Sequence, residues 1–378
     1  MSTPFGIYVH APWCRSRCPY CAFNVYLSNS SDYKGWIRAI TESWRAESAH
    51  FSGEAHSLYF GGGTPSLAPA SAIRSVIEIM PLAHDAEITL ETNPGTIDAD
   101  GLRGMVDAGV NRLSLGIQTF DRRHAKRLGR GHTVQQAQEL LRQANKLGFS
   151  SWSMDLMFAL PEQTEADLAA DLNRLLEHNP PHVSLYGLSI EPNTPFAAAE
   201  QNGALATPPP DEWRRMYDTI VDTLEGAGWE RYEVSNFARP GHRAIHNEAV
   251  WRGGHYAGLG PGAHGFRPCG TRTVGPADLT EWLNAPYPQL SHPTQHEAAI
   301  DRVLSTLRHA EGLNLEALVR DTGFGVAPDT LHRLRSTQCI RDEGSRICLM
   351  HSSFPMADGI VRRIIDGLVP AQIEAQAT

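Results

Sequence analysis

The chain has 378 residues, roughly two to two and a half times the ~150 residues of a typical domain, so one large domain and a smaller one are expected. Apolar residues at 41% and charged residues at 20% exclude a disordered chain. With 33 Lys and Arg against 42 Asp and Glu, the net charge of -9 excludes a domain-wide basic surface, and no nucleic-acid partner is expected.

No stretch approaches the ~18 consecutive apolar residues of a membrane span. The start, Met1-Ser2-Thr3-Pro4-Phe5, lacks the basic and apolar regions of a secretory leader. A cytoplasmic location is expected, with membrane contact only through a partner.

From residue 5 to about 237, short β-rich runs alternate with amphipathic stretches. The runs are Ile7 to His10, Leu58 to Phe60, Glu87 to Glu91, Arg112 to Ile117, Trp152 to Phe158, Val183 to Ile190 and Arg231 to Val234. Helical patterns lie between them at Tyr33 to Ala49, Thr133 to Leu147, Glu165 to Leu176 and Asp211 to Leu224. Strand, helix, strand in this order predicts repeated βαβ units and a parallel sheet. Several runs end in loop-forming residues: Gly61-Gly62-Gly63-Thr64-Pro65, Glu91-Thr92-Asn93-Pro94-Gly95, Gln118-Thr119-Phe120-Asp121 and Ala159-Leu160-Pro161. In parallel α/β barrels ligands sit at that rim, so the site is expected there.

After about residue 240 a Gly/His-rich segment runs from Arg252 to Gly265, with His255 read as an exposed loop residue, followed by a stretch punctuated by Pro276, Pro286, Pro288 and Pro293. A boundary is placed near 285, dividing domain 1–285 from domain 286–378. Helical patterns at Glu297 to His309, Leu315 to Arg320, Leu331 to Arg335 and Asp358 to Leu368, with a β-like run at Arg346 to Met350, predict a small helical, winged-helix-like C-terminal domain.

Six cysteines are too few for a disulfide framework, and Cys14, Cys18 and Cys21 fall within eight positions. Cys269, Cys339 and Cys348 lack metal-ligand spacing and read as small buried or partly buried residues. The three clustered thiolates suit either a zinc site with His10 as fourth ligand or a 4Fe-4S cluster with one iron left open. A glycine run such as Gly61-Gly62-Gly63 lets backbone approach a ligand closely.

Together, Cys14-x3-Cys18-x2-Cys21 and the glycine loop resemble the radical S-adenosylmethionine (SAM) enzymes. Further matches are Tyr8-Val9-His10-Ala11-Pro12-Trp13-Cys14, Tyr59 to Ser66, Glu91 to Gly95, Asn111 to Gln118, Met154 to Met157, Ser184 to Tyr186 and Gly258 to Gly265. They resemble the branch that contains oxygen-independent coproporphyrinogen dehydrogenase and the HemW-type haem chaperones, over nearly the full length. The resemblance implies a partial (β/α)6 TIM-like barrel and a 4Fe-4S cluster on Cys14, Cys18 and Cys21. It implies SAM contacts at Tyr8, Gly62, Glu91 and Gly187. Tyr20, Gly63, Thr64, Gln118, Arg130 and Asp155 would line the region where the dehydrogenase holds a second SAM.

Three features separate the two branches. Phe23 stands where the dehydrogenase has a fourth cysteine, and thirteen residues precede Cys14 where the dehydrogenase has a longer extension. The chaperones' HNxxYW motif, implicated in haem binding, appears as His246-Asn247-Glu248-Ala249-Val250-Trp251, with Val250 in place of tyrosine. An imidazole is a natural axial ligand, so His246, Asn247 and Trp251 are the expected haem contacts, in a segment near 246–265. Ala22 replaces the aspartate usual in that family.

The expected function is a HemW-type haem chaperone that holds a 4Fe-4S cluster, SAM and haem. Its partners would be a haem-acceptor protein and an electron donor such as a flavodoxin-like reductant. Coproporphyrinogen dehydrogenase activity is not expected. The alternatives are another radical enzyme acting on a porphyrin or other organic substrate, and a zinc-stabilised binding protein.

Overall fold

The computed structural model describes residues 4–27 and 31–371. Met1, Ser2 and Thr3, on which part of the leader reading rests, lie outside the described residues.

Six strands pair side by side in chain order, all parallel: β1 (Phe5–Ala11), β2 (Ala55–Gly62), β3 (Leu82–Thr92), β4 (Arg112–Gln118), β5 (Ser151–Phe158) and β6 (His182–Gly187). The helices between them are α1 (Tyr33–Glu47), α2 (Ala70–Ile77), α3 (Ala99–Ala108), α4 (Arg122–Arg127), α5 (Val134–Lys146) and α6 (Glu165–His178). Crossover helices cover one face of a parallel sheet and the barrel interior the other, so such strands are buried along their length. β4 accordingly buries Arg112 to Ile117 without a break.

The helix starts are written locally. Thr133 with Gln136, and Thr164 with Asp167, form reciprocal capping boxes on α5 and α6, and Asp98 and Asp121 cap α3 and α4. This is the partial (β/α)6 barrel expected from the sequence.

Beyond β6 come α7 (Pro195–Gln201) and α8 (Pro210–Gly226), then β7 (Glu230–Arg231) and β8 (Asn236–Ala238), with β8 antiparallel to β6. Helix α9 (Ile245–Trp251) then packs against β2. The chain returns as β9 (His255–Leu259), parallel to β1 on its free side, and continues through β10 (His264–Phe266), β11 (Arg272–Val274) and β12 (Gln289–Ser291). One twelve-stranded sheet results, in the order β12-β11-β10-β9-β1-β2-β3-β4-β5-β6-β8-β7.

Two expectations are corrected here. The Gly/His-rich segment forms strands, and His255 is half-buried against Phe266 at 5.1 Å. Cys269, expected to be at least partly buried, is exposed, because the turn between β10 and β11 lifts it clear of the sheet.

A buried ion pair of Arg267 with Glu47 fastens that turn to α1. After α10 (Leu279–Asn284) and β12, the chain forms α11 (Gln295–Thr306), α12 (Leu315–Thr322), α13 (Pro328–Ser336) and α14 (Ala357–Asp366). A hairpin of Ile340–Glu343 with Arg346–Leu349 joins these helices.

Candidate cluster and ligand site

Loops at the C-terminal ends of the parallel strands enclose a cavity of about 450 Å³ lined by all three clustered cysteines. Cys14, Cys18 and Cys21 lie on the loop after β1, which is tied down from several sides. The Cys21 N–H donates to the Cys18 carbonyl at 3.1 Å, and Asn24 Nδ2 donates to the carbonyls of Pro261 and Ala277. Burial pushes the Cys14 and Cys21 thiols above the usual range, and the neighbouring Cys18 adds to the rise of both. A bound cation would relieve that cost, since a coordinating thiol is deprotonated outright.

His10 does not join this donor set. Its Nε2 donates to the Asn24 carbonyl at 2.8 Å, so Nδ1 is the acceptor for the Tyr8 hydroxyl at 3.1 Å. Both nitrogens are engaged inside the fold, which corrects the zinc reading in which His10 is a fourth ligand. The loop offers three soft thiols, a set that fits a 4Fe-4S cluster with one open iron.

The glycine loop closes over the same loop. Gly63 N–H donates to the Ala11 carbonyl and Thr64 N–H to the Trp13 carbonyl. A Cβ on Gly62 would sit 2.3 Å from the His10 ring, and φ there is +106°. A Cβ on Gly63 would meet the Trp13 oxygen at 2.7 Å. Only glycine fits at either position.

Of the remaining residues expected from the sequence, Tyr20, Gly62, Gly63, Thr64, Glu91, Gln118, Arg130 and Asp155 all line this cavity. Gln118 holds a left-handed backbone at φ 68°, an uncommon conformation for a non-glycine residue that clusters at ligand sites. Tyr8 and Gly187 are not in the lining. Tyr8 points under the wall to His10, and the Cα of Gly187 is covered by Trp213 and Phe158.

Glu91 accepts hydrogen bonds from the Tyr59 hydroxyl at 2.9 Å and the Gly62 N–H at 3.1 Å. Burial nevertheless pushes its carboxyl up to about 7, and Asp155 adds to the rise. Asp155, also raised by burial, accepts from the hydroxyls of Ser114 and Ser153. From Ser153 a buried chain runs to His182 Nδ1 at 2.8 Å, from His182 Nε2 to the Tyr232 hydroxyl at 2.8 Å, and on to the Ala244 N–H at 3.4 Å. The Ala244 N–H can only donate, and the Ser153 hydroxyl, its proton given to Asp155, accepts from His182. Every proton between them is thereby placed, with His182 carrying its own on Nδ1.

Sequence reasoning missed Asn93, Tyr59, Ser114, Tyr186 and His132, which share the lining. Asn93 sits between two recognised loop residues, Glu91 and Gly95, and a polar side chain at that rim is the signal that could have found it.

His246 lies at the other end of the barrel. It is buried, its Nδ1 is 2.9 Å from the Ser57 hydroxyl, and its ring packs against Tyr59 and Tyr256. The first N–H groups of α9, from Ile245 and His246, donate to the Glu87 carboxylate, which also pairs with buried Arg112. Asn247 and Trp251 are half-buried on the same helix. The expected haem contact at His246 thus sits on the barrel floor and not at the cysteine-lined rim. In this arrangement the imidazole closes the barrel floor and is enclosed by its neighbours.

Residues 8–175 match the radical SAM superfamily. The heme chaperone HemW of Escherichia coli (strain K12) is 39% identical over 268 residues, 69% of this chain and 70% of that protein. The heme chaperone HemW of Bacillus subtilis (strain 168) is 32% identical over 359 residues, 91% of this chain and 94% of that one. Among solved structures, coproporphyrinogen III oxidase (HemN) from Escherichia coli, a radical SAM enzyme, superposes with a TM-score of 0.81 at 21% identity, covering 96% of this chain and 90% of that one. The fold, the three-thiol loop and this similarity lead to one conclusion: the chain belongs to the HemW family within the radical SAM superfamily, whose members carry a 4Fe-4S cluster and SAM.

Proposed function

We propose that this protein is a haem chaperone of the HemW type, which binds haem in the presence of a 4Fe-4S cluster and SAM and passes it to an acceptor protein. The observation that carries this reading is similarity to proteins named heme chaperones along 91% of the chain. A supporting feature is Phe23, exposed at the cavity mouth where the dehydrogenase branch has a further cysteine. Coproporphyrinogen dehydrogenase activity is accordingly not part of the proposal. The acceptor, and a flavodoxin-like electron donor in the cytoplasm, belong to it as partners.

Cys14, Cys18 and Cys21 would hold the cluster, which when bound supplies an open iron for the amino and carboxylate groups of SAM and a source of one electron. The surrounding residues have separable tasks. The glycine loop presents backbone polar groups without side chains in the way. Glu91 offers carboxylate oxygens to ribose hydroxyls, a role that needs its ionised form. Arg130 and Tyr20 offer donors to a ligand carboxylate, and burial of Asp155 beside Glu91 places two acceptors at the back of the cavity.

The test is anaerobic reconstitution followed by a haem titration read by optical spectroscopy, with 5′-deoxyadenosine formation under dithionite assayed on the same sample. Stoichiometric haem binding with little 5′-deoxyadenosine is expected. No haem binding with brisk SAM cleavage would overturn the proposal in favour of a radical enzyme.

A further inference from the structure

Cys14 and Cys18 each have a side-chain donor in reach that is held by the same amide, while the Tyr20 hydroxyl also meets Cys18 and the Phe23 N–H meets Cys21. The Thr64 hydroxyl lies 3.5 Å from Cys14 Sγ, and Arg130 Nη1 lies 3.9 Å from Cys18 Sγ. Asn93 stands between them. Its Nδ2 donates to Thr64 Oγ1 at 3.0 Å, and its Oδ1 accepts from Arg130 Nη2. The same guanidinium nitrogen is anchored on the Gly116 carbonyl at 2.6 Å.

The direction of each bond follows from chemistry. Arginine has no acceptor, so Asn93 must turn its oxygen toward Arg130 and its NH2 toward Thr64. With one lone pair of Oγ1 occupied by that NH2, the Thr64 proton is free to point at Cys14, where a thiolate can only accept. The amide thus aims one neutral and one charged donor at two different sulfurs. Hydrogen bonds to cluster sulfurs stabilise the more negative, reduced state and raise the reduction potential.

We propose that Asn93 is a positioning residue that, by orienting Thr64 and Arg130, sets the reduction potential of the cluster. The proposal rests on the three thiols holding a 4Fe-4S cluster.

The experiment is an EPR-monitored redox titration of the reconstituted full-length protein, comparing wild type with Asn93→Ala, Thr64→Val and Asn93→Asp. Asn93→Ala is expected to shift the midpoint to more negative potential, in the direction of Thr64→Val. A double variant combining Asn93→Ala with Thr64→Val should shift by less than the sum of the two, because Asn93 acts partly through Thr64. Asn93→Asp keeps the size and the acceptor for Arg130 but replaces the NH2 with an oxygen that draws the Thr64 proton off Cys14. It too is expected to shift the midpoint negatively, with the cluster loaded as in wild type, which keeps the test open should the alanine variant fold poorly. A midpoint unchanged in Asn93→Asp while Thr64→Val shifts, or strict additivity in the double variant, would overturn the proposal. A wild-type protein that takes up no iron and sulfide would instead overturn the cluster reading beneath it.

Discussion

His246 Nδ1 and the Ser57 hydroxyl meet at 2.9 Å on the floor of the barrel, the end opposite the cysteine loop. Burial drives the imidazole down to about 3, with His56 adding to the effect, so it stays neutral across the physiological range. The unfolded chain binds a proton at about 6.5 that the folded chain refuses. This contribution to stability is complete above that pH and is lost as pH falls toward about 3. His246→Ala should cost about 3 kcal/mol at pH 7.5, as for loss of a buried ring, and should flatten the acid limb of stability measured by urea unfolding. Haem titration of the folded variant should match wild type in stoichiometry. Lost haem binding with stability intact would make His246 a ligand after all.

Gly62 faces the His10 ring with φ at +106°. Gly62→Ala therefore combines a left-handed backbone penalty of about 1 kcal/mol with displacement of a ring whose two nitrogens are already committed. A loss of at least ~2 kcal/mol in unfolding free energy is expected, with reduced iron incorporation on reconstitution. Full stability with a normal iron count would show that the loop tolerates a side chain.

The raised carboxyl of Glu91 makes a pH signature of the opposite sign. Its folded value of about 7 lies above the ordinary 4.5, so its contribution is greatest at low pH and is lost as pH rises from 4.5 through about 7. Glu91→Gln should remove this slope from the stability profile of the metal-free protein. SAM affinity in wild type, measured by equilibrium dialysis on reconstituted protein, should rise across the same interval as the carboxylate forms. A flat affinity profile would argue against Glu91 as the ribose acceptor.

Cys18 accepts from Arg130 and shares the cavity with Cys14 and Cys21. Cys18→Ala should abolish the cluster, read as loss of iron, labile sulfide and the visible charge-transfer band after anaerobic reconstitution. One zinc per chain without sulfide in the wild type would sink the cluster assignment. With His10 committed to Tyr8 and Asn24, such a zinc would need a fourth ligand from elsewhere.

The buried chain from Asp155 to Ala244 predicts a neutral His182 with its proton on Nδ1. Burial holds its pKa well below the ordinary value, with Arg112 reinforcing the effect. Nitrogen-15 NMR of labelled histidines should show one such tautomer, unchanged from pH 6 to 8. A proton on Nε2 would mean that the Tyr232 hydroxyl points elsewhere.

Much of this protein is decided locally and was legible in the residues alone. Parallel strands such as Arg112 to Ile117 are buried on both faces and therefore read as short runs rich in β-formers, while α5 and α6 announce themselves by caps at Thr133 and Thr164. The spacing of Cys14, Cys18 and Cys21, together with Gly61-Gly62-Gly63 after the next strand, marked the rim because loop chemistry is contiguous in sequence. What depends on residues far apart could not be read this way. The three-residue strands β10 to β12 carry too few positions to show a period and exist because β9 extends the sheet past β1. Asn93 matters only because the fold brings residues 64, 93 and 130 together, and the His-Asn pair of the HNxxYW-like segment reads the same whether it faces solvent or a barrel floor. The sequence by itself determined the alternation of strands and helices and the thiol loop, because each is encoded by near neighbours. Only the tertiary structure decided which imidazoles are sealed, which amide aims the donors at the sulfurs, and which end of the barrel each residue serves, because those are consequences of long-range packing.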